Sequence, residues 1–580
     1  MKSIINYIFI VLVISVSMCP SIKAQTNASD TIFKAMNDEL NRNISNLNLN
    51  KYKPPFFIAY RLNYAKKLSI EASLGSIIQS EENIGKSPSI RLMVGDYSLN
   101  DENFVGGSRR FSSGGGYLPL PLDNDYRAIR RSFWIMTDQV YKSSIESYEQ
   151  KLTALKQQNK EESEKLDDYS KIAPVNLMLN DIPVKFDKNR WENVAKDISA
   201  IFKPYGLIAS SSVDLYFING SFYYITNEGN RIKFPGSIAC LLVNANTQAE
   251  DGEPLKDHLL YYALTPDQLP PIEKIKQDVK QMADNLSARC KAPVMDDAYS
   301  GPVIFEGDAV AELFLQKLFG SNGLIASREP VYAVERQEQG RINKFDNKIN
   351  QRICAANITI KATPKLKSFN NVPLIGSFEI DAEGVVPKDE LVMVDKGILK
   401  TLLNDRVPTP KVKESNGYCR LTIGGSTQKA PGVINVSYNN GYSIDSLRKN
   451  ALLEAEKDGL ENIYIVRKVE VSNMGMSQSG NSYEGRNLPI SEPIAIYKVS
   501  VKTGEETLVR SALISDFPAT AFKYISQGTK DQIVYNTLKG SVPVSFIVPK
   551  ALVFNDISIE KDRSTKPKLP IVPNPVLVQK

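Results

Sequence analysis

A chain of 580 residues, 42% of them hydrophobic, is long enough for two or more domains and has an ordinary globular composition. Its net charge of +6, or +4 once a leader carrying Lys2 and Lys23 is removed, excludes a strongly basic nucleic-acid surface. The single histidine, His258, excludes a two-imidazole metal site within one copy and weakens Ser-His-Asp and Cys-His schemes.

Residues 1–24 read as a secretory signal peptide: Lys2, an apolar run from Tyr7 to Met18, and Ile22-Lys23-Ala24 before cleavage. Cys19 offers a lipoprotein alternative, although Met18 before it fits lipid attachment poorly. The expected location is therefore the periplasm or cell envelope, with no membrane span after the leader is removed. Cys240, Cys290, Cys354 and Cys419 form no CxxC pair. An exported chain could pair them in three ways or leave them as buried thiols.

Residues 25–295 are expected to form an α/β domain. A helix over Asp30–Leu47 precedes short strands at Pro55–Asn63, Lys67–Leu74, Ser76–Gln79 and Ser89–Val94. Residues 106–116 read as a glycine-rich connection. Apolar residues at three- and four-residue steps predict one long helix over Asp123–Lys171, and its charged half, Lys156–Lys165, reads as a solvated face. Helices are predicted at Trp191–Phe202 and Pro270–Cys290. Ser210–Asn219 and Ser221–Thr226 read as a hairpin about Asn219-Gly220, and Ile238–Val243 as a buried strand. His258 reads as a surface or packing residue, and the domain boundary falls near Ala292–Tyr299.

Residues 296–556 are expected to be mainly β around one central buried helix, followed by a Pro/Lys-rich tail over 557–580. Tyr299–Phe305 leads through Gly307 into that helix, Asp308–Phe319, whose apolar face carries Val310, Leu313, Phe314 and Leu318. Glu306, Asp308 and Glu312 read as solvent-facing or capping carboxylates at its start. Strands are predicted at Asn357–Ala362, Ser377–Asp381, Leu391–Val394, Ile398–Asn404, Val433–Tyr438, Asn462–Val471 and Pro493–Lys502, with a helix at Ser443–Lys457. The fold class is α+β.

Tyr299-Ser-Gly-Pro-Val-Ile-Phe-Glu-Gly-Asp-Ala-Val-Ala-Glu-Leu-Phe314 resembles the C-terminal-domain helix region of the TldD/PmbA (TldD/TldE) family, also called modulators of DNA gyrase. So do Arg91–Tyr97, the run Arg127–Trp134, Asp381-Ala-Glu383-Gly384 and Ser415-Asn416-Gly417-Tyr-Cys-Arg420, in family order across residues 55–540. In catalytic members the helix carries HExxxH, whose histidines bind zinc. The resemblance places Phe314 and Phe319 at the histidines and Leu315 at the glutamate. It implies that this chain keeps the helix without the zinc motif, so that no catalytic or metal residue is assigned. Phe314 and Phe319 then pack as core or plug a vestigial pocket. Glu383, Gly384, Ser415, Asn416, Gly417 and Arg420 are expected near a cleft. The family further implies an exported, non-catalytic PmbA/TldE-like subunit that pairs with a zinc-bearing TldD-like homologue and binds unfolded or short peptides. Exposed strand edges of the second domain would hold the peptide backbone, and zinc would reside only in the partner. The alternatives are a homodimeric envelope binding or scaffold protein, and an active metallopeptidase with shared or unrecognised ligands.

Overall fold

The computed structural model describes residues 30–49, 51–106, 120–157, 166–182, 184–320, 323–333, 343, 345–471, 493–563 and 568. The leader with Cys19, most of the glycine-rich segment, nearly all of the charged run, the stretch around Ser472–Gly480 and most of the tail lie outside these residues. The chain is α+β, as its patterning predicts.

The N-terminal sheet is built from long strands. Pro55–Ser73 and Ser76–Val94 form one antiparallel hairpin, which merges the four short strands read from the sequence. Ser210–Thr226 pairs with Pro55–Ser73 on one side and Arg231–Gln248 on the other; Pro254–Ala263 continues from the latter as an edge strand. The hairpin expected at Asn219-Gly220 does not form. The strand runs straight through, because Gly220 lies against Ala65, where a Cβ would come within 1.9 Å of the Tyr64 carbonyl oxygen. The glycine serves close strand approach rather than a turn.

One face of this sheet is covered by helices. Thr31–Asn46, capped by Asp30, packs with Tyr126–Gln157 over Tyr60, Leu62, Ile90 and Leu92. Lys188–Ala200, capped by Asp187, and Ile272–Lys291 bury Trp191, Ile198, Val279 and Leu286 over the other half. The second helix of the chain is described over Tyr126–Gln157, and residues 166–171, inside the predicted helix, are irregular. The opposite sheet face meets the C-terminal half: Phe57, Tyr224 and Ile232 pack with Ile380, Ala382 and Cys419.

Two sheets make the C-terminal half. One runs in the order Ile398–Leu399, Leu391–Asp395, Ile358–Ala362, Val433–Tyr438, Val542–Pro549 and Gln532–Lys539. The other runs Glu506–Val509, Pro493–Ser500, Asn462–Val469, Tyr299–Glu306, Ala551–Lys561 and Ala512–Asp516, with Ile525–Gly528 also on Ala551–Lys561. Apolar residues of both sheets enclose the short helix that starts at Asp308, and Ile444–Lys457 covers the far side of the second sheet. Predicted strand Ser377–Asp381 is instead irregular, and only Ile398–Leu399 of the predicted Ile398–Asn404 is extended in a ladder. Cys240, Cys290, Cys354 and Cys419 are all buried, and the last three are free thiols. No helix of the described residues is long and apolar enough to cross a membrane.

Candidate functional site

Strand Tyr299–Glu306 lies in the middle of its sheet, between Asn462–Val469 and Ala551–Lys561. Gly307, at φ +63°, turns the chain out of that strand and into the helix, a backbone state that favours glycine. The helix runs α-helically over Asp308–Leu313 and closes with a wider turn in which Phe319 N–H donates to the Phe314 carbonyl at 3.0 Å.

The helix has two faces. Phe314 and Phe319 are fully buried, with ring centroids 5.1 Å from Phe522 and 5.6 Å from Phe546 respectively, and Leu315 is buried in the same core. These three positions point into hydrocarbon, away from any opening. The other face carries Asp308, Glu312 and Gln316 at four-residue spacing. Asp308 and Glu312 line a cleft of about 220 Å³, shared with His258, Leu259, Leu260 and Tyr261 of the edge strand, and with Lys468 and Tyr535.

The carboxylates at the helix start are not the solvent-facing caps their position suggests. Glu306 is buried and accepts from Arg448 Nε and Nη2, both at 2.7 Å, and from Arg467 Nε at 3.1 Å. Burial opposes its ionised form, but the two guanidinium groups outweigh that and hold its carboxyl below the ordinary value. Glu312 is 2% exposed and meets no cation among these contacts. Tyr535 Oη donates to its Oε1 at 2.5 Å and Gln316 Nε2 to its Oε2 at 2.7 Å. Burial pushes Glu312 up to about 7, against the pull of those two hydrogen bonds and with help from the negative charges of Asp308 and Glu470. Asp308 opens onto the cleft yet is crowded by protein, and burial raises it while Lys468 pulls it down.

His258 faces the same cleft from the edge strand and is 3% exposed. Burial, then the charges of Lys468 and Lys256, push it down to about 3, so the imidazole is neutral at ordinary pH. Its Nδ1 has no hydrogen-bond partner among the described residues. Lys468 Nζ donates to Asp257 Oδ1 at 2.5 Å and to the His258 carbonyl, fastening the edge strand to the second domain. The cleft is thus bordered by an edge strand of the N-terminal sheet and by Lys468 and Val469 of the second domain.

The remaining predicted site residues lie elsewhere. Glu383 is buried between the domains, with Arg91 donating to its Oε1 and the Arg406 backbone N–H to its Oε2 at 3.3 Å. Burial raises Glu383, but Arg91, Arg61 and Arg406 prevail and hold it ionised. Gly384 takes φ +88° in the turn that Asp381 closes by accepting from the Glu383 and Val385 amides. Ser415 accepts from the Gly417 amide, while Asn416 accepts from the Asn404 amide at 2.7 Å and donates to the Leu402 carbonyl. Arg420 lies over Phe378, 3.7 Å from its centroid, and donates to the Gly376 carbonyl; burial lowers it to about 10. These groups fix loops and join the domains. None lines the cleft beside Asp308 and Glu312.

Sequence reasoning passed over His258, Lys468 and Tyr535 as partners of this cleft, because they arrive from three distant segments. The polar stripe Asp308, Glu312, Gln316 on an otherwise apolar helix was the signal that could have found it. A zinc ion does not fit this donor set: it offers a single imidazole, and no group of three or more His, Cys, Asp or Glu among the described residues could hold a metal ion.

Residues 299–561 match the model of the PmbA/TldA metallopeptidase C-terminal domain. The fold is similar to that of a protein named as a modulator of DNA gyrase from Thermotoga maritima, at 15% identity and a TM-score of 0.55, covering 90% of this chain and all of that one. It is also similar to TldE from Thermococcus kodakarensis, at 13% identity and TM-score 0.52 over 91% of this chain and all of that one. A further protein named as a modulator of DNA gyrase, from Bacteroides thetaiotaomicron, matches at 13% identity and TM-score 0.56 over 92% of this chain and 99% of that one. No curated protein matches the sequence.

Proposed function

From the premise that the chain belongs to the TldD/PmbA family, whose metallopeptidase C-terminal domain spans residues 299–561, we propose that it is a peptide-holding subunit without hydrolytic activity of its own. It is exported by the leader read at residues 1–24 and pairs with a homologue that carries HExxxH and zinc. The observation that carries this reading is the face the helix turns to the cleft. Peptide hydrolysis by this family's chemistry needs a Lewis-acidic metal and a carboxylate base. Here that face offers Asp308 and Glu312, and Glu312 is held by Tyr535 and Gln316. Beyond His258, whose amide and carbonyl are taken by Asp257 and Lys468, the edge of Pro254–Ala263 runs along the cleft and gives an extended peptide a strand to pair with.

Affinity purification from the native envelope tests the reading. The expected result is a stoichiometric HExxxH homologue, with chelator-sensitive peptide cleavage by the pair and none by this chain alone. Chelator-sensitive cleavage by the pure chain would overturn it, as would recovery of this chain with no such homologue.

A further inference from the structure

The cleft between Pro254–Ala263 and the helix start is rich in acceptors. Asp308 and Glu312 lie one turn apart, and the contacts of Glu312 are with two neutral donors, Tyr535 and Gln316. On the facing wall, His258 is 97% buried with Nδ1 unpartnered among the described residues. Lys468, the one Lys or Arg side chain among the described residues lining the cleft, directs its ammonium at Asp257 and the His258 carbonyl. Asp278 at the rim is engaged by Lys274 and by Tyr261 Oη. Leu259, Leu260, Val469 and Val471 supply apolar walls. A ligand that complements this lining brings N–H donors and a positive charge on a short aliphatic stem.

We infer that the cleft is a subsite for a primary ammonium group of a bound peptide, held by the carboxylates of Asp308 and Glu312 with His258 Nδ1 as a neutral acceptor opposite. The inference rests on the peptide-holding reading and specifies which part of the peptide enters. Two sources share this chemistry, the N-terminal amine and a lysine side chain. The low-lying imidazole keeps its lone pair free at neutral pH. Because burial leaves Glu312 partly protonated at that pH, entry of a cation displaces its proton to solvent.

Calorimetric titration of the full chain with three peptides tests this: trialanine, N-acetyl-trialanine, and N-acetyl-Ala-Lys-Ala. Trialanine or the lysine peptide is expected to bind at least about tenfold more tightly than N-acetyl-trialanine. The tighter of the two identifies the source. Binding near pH 7 in buffers of different ionisation heat is expected to release a fraction of a proton. Asp308→Asn and Glu312→Gln should each shrink the preference for the charged peptide toward unity. Equal affinity for all three peptides would overturn the ammonium subsite while leaving the peptide-holding reading intact. Binding of none would remove both. The wild-type comparison stands even if a variant fails to fold.

Discussion

Glu312→Gln should make the protein more stable at alkaline pH, although it alters a fully buried, hydrogen-bonded carboxylate. The ordinary glutamate value is 4.5, and burial raises Glu312 to about 7 in the fold. A carboxyl whose folded value lies above its unfolded one favours the folded state fully below pH 4.5, and that advantage is lost as pH rises through 7. At ~1.4 kcal/mol per pH unit, ionised Glu312 costs the native state about 3 kcal/mol by pH 8 and under about 1 kcal/mol at pH 5. Gln does not ionise. Its amide oxygen can still accept from Tyr535, while its NH2 must turn to Gln316, whose own carbonyl can accept. Urea unfolding followed by circular dichroism, for both proteins at pH 5 and pH 8, isolates the effect because other titrating groups cancel. The stability of the variant relative to wild type should rise by about 2–3 kcal/mol between the two pH values. A difference independent of pH would refute the claim that Glu312 is buried without a compensating cation.

Glu306→Ala should behave in the opposite sense, losing about 1–3 kcal/mol in thermal unfolding at neutral pH, since it takes from Arg448 and Arg467 the buried carboxylate they share and leaves them Glu506; their roughly one-third exposure limits the loss. Phe319→Ala should cost about 3–5 kcal/mol in urea unfolding and leave peptide affinity unchanged, because the ring packs on Phe546 and does not reach the cleft. Gly220→Ala should destabilise by at least about 1–3 kcal/mol, or abolish soluble expression, because its Cβ would collide with the Tyr64 carbonyl in a central strand. Arg406→Ala should speed proteolysis between the domains, since this fully buried guanidinium joins Glu228 at 2.6 Å and 2.7 Å to the Ser170 carbonyl.

Much of this protein is local and therefore legible in the residues. The helices Thr31–Asn46, Lys188–Ala200, Ile272–Lys291 and Ile444–Lys457 follow apolar spacing, and Asp30 and Ser443 cap the first and last where the sequence predicts a start. The stretch Tyr299–Phe319 shows both its strand and its helix, and Gly307 marks the joint. What distance along the chain conceals is pairing. Gly220 looks like a turn until its strand neighbour Ala65 is known, 155 positions earlier in the chain. Glu383 looks like a cleft residue until Arg91 reaches it from the other domain.

The sequence by itself determined that one chain cannot assemble a two-histidine zinc site, because it contains a single imidazole. It also determined which segments alternate and which coil, since those periods are local. Only the tertiary structure decided what the central helix shows to the cleft. A helix period says that Phe314 and Glu312 lie on different faces; it does not say which face meets the core. The two sheets claim the phenylalanines, and the edge strand Pro254–Ala263 closes over Asp308 and Glu312 with His258 opposite them. Burial with no cation among its described contacts is a property of that enclosure, and it is what raises the Glu312 carboxyl above its ordinary value.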